Sequence, residues 1–96
     1  MADADTDGAR ETYLVEQYRP GSEVDGLRRT ASDVRESAGE LEREGKPVRF
    51  LRSAIIPADE ALLCFLEAAS EDLVRETYDR AGIAFDRISA AMASEP

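Results

Sequence analysis

The apolar patterning of this chain predicts an α+β fold with element order β-α-β-β-α-β. Three observations carry the prediction. TYLVEQY, residues 12 to 18, is aromatic and β-branched and alternates in the way of a half-buried strand. Two later segments repeat apolar residues at three- and four-residue steps, the helical period, and each is closed by a glycine. Between them FLRSAIIPADEALLCFLEA, residues 50 to 68, reads as two apolar strands around a turn.

Taken in order, residues 1 to 11 are acidic and without periodicity, so a disordered tail is expected there and a single domain over 12–96. Asp3, Asp5, Asp7 and Gly8 imitate the first half of a calcium loop, but its twelfth position, which needs a bidentate glutamate, is Leu14. After the first strand, Arg19-Pro20-Gly21 breaks the pattern, and Ser22 with Asp25 three residues on reads as a variant capping box. Val24, Leu27, Ala31, Val34, Ala38 and Leu41 then form one apolar stripe of a long helix, which Gly45 and Pro47 stop. Strands are expected at 48–56 and 61–68 around the turn Pro57-Ala58-Asp59-Glu60. Ser70 caps a second helix whose Leu73, Val74, Thr77 and Ala81 share a face, and Gly82 ends it. A last strand is expected from about Arg87 to Ala93.

This order is the ferredoxin-like one: a four-stranded antiparallel sheet with both helices on one face. The two hairpin strands are apolar at both parities, Phe50 and Ile56 against Leu51 and Ile55, and Leu63 and Phe65 against Leu62 and Leu66. A sheet with one wet face alternates more cleanly. A second copy of the same sheet is the simplest cover, which makes the expected assembly a homodimeric α+β barrel.

Charge and composition restrict the function. With 12 basic and 21 acidic residues the formal charge is −9, and no basic cluster offsets it. Nucleic acid and anionic membrane surfaces are therefore poor partners. One cysteine cannot form an internal disulfide, and the N-terminus shows no charged-then-apolar leader, so a cytoplasmic location is expected. Lys46 is the sole lysine, which argues against Schiff-base chemistry. Histidine is absent altogether, removing the commonest acid-base side chain near neutral pH and the commonest transition-metal ligand.

YLVEQYRPG, LLCFLEA and VRETYDRAGIAFDRIS together resemble a family of small nickel-binding proteins, long classed as a domain of unknown function. The resemblance spans about residues 12 to 90 and is most specific over 74–89. It implies a dimeric ferredoxin-like fold and nickel binding through histidines. At the positions where the resemblance places those histidines this chain has Tyr18, Arg52 and Thr77, while the pattern's glutamate and cysteine remain as Glu16 and Cys64. A guanidinium does not coordinate a metal, and nickel favours imidazole or thiolate, so the expected site holds no metal.

What the resemblance leaves is a polar set, Glu16, Tyr18, Arg52 and Thr77, expected to converge on one former metal pocket. Glu16 and Tyr18 are two apart in a strand and share a face, and Arg52 falls roughly opposite Cys64 or Phe65 across the hairpin. In the functional reading Arg52 fixes a ligand oxygen, Tyr18 is an acid or donor, and Glu16 is a base or orienter. Phe50, Phe65 and Leu66 supply apolar walls, with Cys64, Thr77 and Tyr78 also in contact with ligand. The bland readings stand beside it. Arg52 is equally a solvated arginine at a strand edge, Glu16 a surface partner for an arginine, and Cys64 an inert core thiol. Tyr18 and Tyr78 suit packing at the edge of the core. Asp33, Glu36, Glu40, Glu42 and Glu44, interspersed with Arg35 and Arg43, suit a solvated helix face with intrahelical pairs.

The expectation is thus a homodimer that binds a small organic ligand and needs no cofactor, as an isomerase or cyclase working by proton transfer. Two alternatives are a noncatalytic divalent-metal binder using oxygen ligands such as Glu16, and a partner-binding dimer without a pocket.

Overall fold

The computed structural model describes residues 10–92, so the acidic repeat at Asp3 to Gly8 and the end of the expected last strand at Ala93 lie outside the described residues. Strand β1 spans Glu11–Tyr18, helix α1 Val24–Arg43, β2 Val48–Ile56, β3 Ala61–Ala68, α2 Glu71–Ala81 and β4 Arg87–Ala91. The strands form one antiparallel sheet in the order β2-β3-β1-β4, the ferredoxin-like arrangement expected from the element order. β1 begins inside the segment read as tail, since Glu11 already pairs with Ala68.

Local chemistry sets the boundaries. Ser22 does not cap α1: its N–H closes a turn onto the Arg19 carbonyl at 3.0 Å. Pro20 and Gly21 occupy the centre of that turn, Gly21 at φ +88°, where glycine alone is unstrained. The cap position is Glu23, whose side chain makes no capping bond. Helix α1 ends in a Schellman motif, with Gly45 donating to Glu42 and Lys46 to Leu41, both at 3.0 Å. Helix α2 starts as expected, the Ser70 Oγ accepting from the Leu73 N–H at 3.3 Å. Between β2 and β3, Pro57–Asp59 form one turn of 3-10 helix and Glu60 takes a left-handed conformation at φ 51°.

Both helices pack on the same face of the sheet. Leu27, Val34, Ala38 and Leu41 of α1 and Val74 and Tyr78 of α2 meet Val15, Val48, Leu62, Cys64 and Leu66, all buried. The Ser37 hydroxyl donates to the Thr77 carbonyl at 2.7 Å and ties the two helices inside this layer. None of the helices among the described residues is long and apolar enough to cross a membrane.

One irregularity changes how β2 is read. Phe50 pairs with Leu66 and Arg52 with Phe65, so Leu51 is an extra residue in a bulge. The bulge reverses the strand's phase. Phe50 and Ile55, of opposite parity, both pack against the core, and Arg52 faces away from it. In β2 the apolar residues at both parities therefore reflect a slipped phase rather than two buried faces. β3 has no such shift: Leu62 and Leu66 enter the core, while Leu63 and Phe65 stay half-buried on the sheet's other side.

Candidate functional site

Strand alternation and antiparallel register place Glu16, Tyr18 and Arg52 on the face that neither α1 nor α2 covers. β1 contributes Leu14, Glu16 and Tyr18, β3 contributes Leu63 and Phe65, and β2 beyond its bulge contributes Arg52. From the other edge Arg87 pairs with Glu16 and Ser89 with Leu14. Leu14, Leu63 and Phe65 make an apolar floor between two polar groups.

On one side of the floor the Tyr18 hydroxyl donates to Glu16 Oε1 at 2.6 Å, and Arg87 Nε stands 3.7 Å from Glu16 Oε2. Both carboxylate oxygens are thus engaged, and the Glu16 side chain is only 15% exposed against 70% for Arg87. The hydrogen bond to Glu16 is the main cause that pushes the Tyr18 phenol above its ordinary pKa, so it remains a proton donor at neutral pH. On the other side the Arg52 guanidinium lies 5.0 Å from the centroid of the Phe65 ring, a cation–π contact. No carboxylate among the described residues pairs with Arg52. Two strand spacings and one two-residue step separate Arg52 from Glu16, roughly 12 Å. They share a face without touching.

The remaining expected site residues lie across the sheet. Cys64 and Leu66 point under the helices, Phe50 packs on the same core, and Thr77 and Tyr78 are buried in α2. Thr77 does not converge with Tyr18 and Arg52: its hydroxyl donates to the Leu73 carbonyl at 2.8 Å inside its own helix. Phe50 and Leu66 do not wall the Arg52 side either, because the bulge and the alternation of β3 send both inward. Burial pushes the Cys64 thiol up to about 11, so thiolate is scarce at neutral pH. Tyr78 stacks edge-on against Phe85, centroids 5.4 Å apart, and burial next to Cys64 pushes its phenol up as well. Its hydroxyl and the Gln17 Oε1 are buried without a nitrogen or oxygen partner. Leu14, Leu63 and Arg87 were missed from sequence, although Arg87 and Ser89 alternate as one face of a strand does.

The family model of the SCO4226-like nickel responsive proteins matches residues 13–90. The chain belongs to that family. The crystal structure of SCO4226 from Streptomyces coelicolor A3(2) is similar, with a TM-score of 0.67 and 21% identity over 88% of this chain and 99% of that one. That likeness confirms the fold. No curated protein matches the chain. The side chains here do not suit a nickel ion as the resemblance arranges it. No histidine is present, Glu16 and Cys64 lie on opposite faces of the sheet, and no three potential ligands gather among the described residues.

Proposed function

We propose that this member of the SCO4226-like family is a homodimer that binds a small organic anion or carbonyl compound on the open sheet face. One observation carries the reading: an apolar floor of Leu14, Leu63 and Phe65, on the face opposite the two helices, lies between a guanidinium with no carboxylate partner among the described residues and a hydrogen-bonded carboxylate–phenol pair. A second copy packed sheet to sheet would bury that floor and lower the dielectric around Arg52, strengthening its bond to an oxyanion. On binding, Tyr18 would turn its one hydroxyl proton from Glu16 Oε1 to a second ligand oxygen, leaving Glu16 beside Arg87.

The finer form of the reading is a cofactor-independent isomerase or cyclase working in the cytoplasm. The Tyr18–Glu16 pair supports it: Glu16 would take a proton from carbon while Tyr18 gives its own to a ligand oxygen. Fold analogy alone does not choose the reaction.

Sedimentation at micromolar concentration is expected to give a dimer. A thermal-shift screen of acyclic keto acids is expected to raise Tm for wild type but not for Arg52→Ala, with the dimer intact in both. Equal stabilisation of the two proteins would overturn the assignment of Arg52. Tight stoichiometric nickel uptake by the untagged protein in calorimetry would replace the reading with a metal-binding one.

A further inference from the structure

We propose a second, separate ligand site in the groove between α1 and the edge strand β2, shaped for a monocyclic carboxylate. The groove has a volume of about 230 Å³. That is below the roughly 300–1,000 Å³ of pockets for drug-sized molecules and suits a single ring. Arg28, Ser32 and Arg35 line it from one stripe of α1, at steps of four and three residues. Phe50, Ser53 and Ile55 line it from β2, and the bulge at Leu51 is what brings these three to one side. Because β2 is an edge strand, no further strand among the described residues closes the groove.

Its charge is at odds with the rest of the molecule. The chain carries a formal −9, yet no acidic side chain among the described residues lines this groove. The groove between α1 and α2 shows the contrast: Asp33, Glu36 and Glu40 line it with Arg80, which is already paired with Glu40 and Glu44. Arg35 has no ion-pair partner among the described residues, and its guanidinium lies 5.7 Å from the Phe50 ring centroid, held beside the groove by a cation–π contact. Among the described residues Arg28 meets only Asp25, at 3.8 Å, where both side chains are more than 70% exposed and the pair is worth little. Two guanidiniums are therefore available for a carboxylate, with the Ser32 and Ser53 hydroxyls as further donors. Phe50, Ile55 and Ala31 offer apolar surface to the ring.

Amide-resolved NMR titration of the full chain with benzoate tests the proposal, with benzyl alcohol and inorganic phosphate as parallel probes at matched ionic strength. Saturable shifts at Ser32, Arg35, Ser53 and Ile55 are expected with benzoate and not with the other two. Arg35→Gln is a surface change that leaves the fold intact and is expected to weaken benzoate at least about tenfold. Arg52→Ala, on the opposite face, is expected to leave these shifts unchanged, so failure here and failure of the open-face site are read separately. Shifts confined to the open face, an equal response to phosphate, or unchanged affinity in Arg35→Gln would overturn it.

Discussion

The two faces of this one sheet treat their polar groups in opposite ways. Under the helices, Gln17, Cys64, Thr77 and Tyr78 are fully buried, and burial holds the thiol and the phenol in their neutral forms. On the open face Glu16, Tyr18, Arg52 and Arg87 keep contact with solvent while their geometry is fixed by hydrogen bonds, a loose ion pair and a ring contact. Neighbouring residues of a single strand, such as Glu16 and Gln17, belong to these two regimes. The difference teaches that the capacity for chemistry in this fold follows strand parity more closely than residue type. Cysteine, the most reactive side chain in the sequence, is on the inert side.

The strongest test of this contrast pairs adjacent leucines of β3. Leu62→Ala, in the core, is expected to cost about 2–5 kcal/mol in chemical denaturation. Leu63→Ala, on the open face, is expected to cost about 1 kcal/mol or less at low protein concentration and more as a dimer populates. Equal losses would erase the distinction.

Alkaline pH probes the covered face at intermediate size. The Cys64 pKa is raised in the folded state from 9.0 to about 11, so its contribution is fully present below pH 9 and is lost as pH rises through 11. Denaturation across that window should show wild type losing on the order of 2 kcal/mol more than Cys64→Ala. Parallel pH profiles for the two proteins would mean that the thiol is hydrated. The smallest effect is expected from Tyr78→Phe. Deleting a buried hydroxyl without a nitrogen or oxygen partner should leave stability within about 1 kcal/mol of wild type, or raise it. A larger loss would show that the thiol or a water satisfies it.

Much of the fold was legible because punctuation and period agreed. Pro47 and Pro57 bracket β2, and the spans expected for β2 and β3 coincide with those observed. Ser70 acts as the cap that its position suggested. Ser22 does not, because Ser-x-x-Asp looks the same whether the serine caps a helix or closes the preceding turn, and only the backbone geometry separates the two. Part of the site was equally readable: period two puts Glu16 and Tyr18 on one face, and the hairpin turn sets Arg52 opposite Cys64 or Phe65, of which Phe65 is the observed partner. Leu66 was placed against that same period, since it adjoins Phe65 in an unbroken strand and so faces the other way, whereas Thr77 and Phe50 could not be assigned from it. The roll of α2 about its axis and the phase of β2 beyond its bulge depend on packing, which residue spacing along the chain does not encode.

Leu51 has a further consequence at the rim of the molecule. Strand β2 is nine residues long and presents an unpaired backbone edge to solvent, the kind of surface on which chains add to one another and grow into fibrils. One surplus residue interrupts the even spacing of that edge near its middle, so an arriving strand finds continuous pairing over only half the length. The side chains at the interruption, Arg49 and Arg52, bring like charges to any identical edge that approaches. The kink that turns Arg52 outward thus also makes this border a poorer template for an added strand.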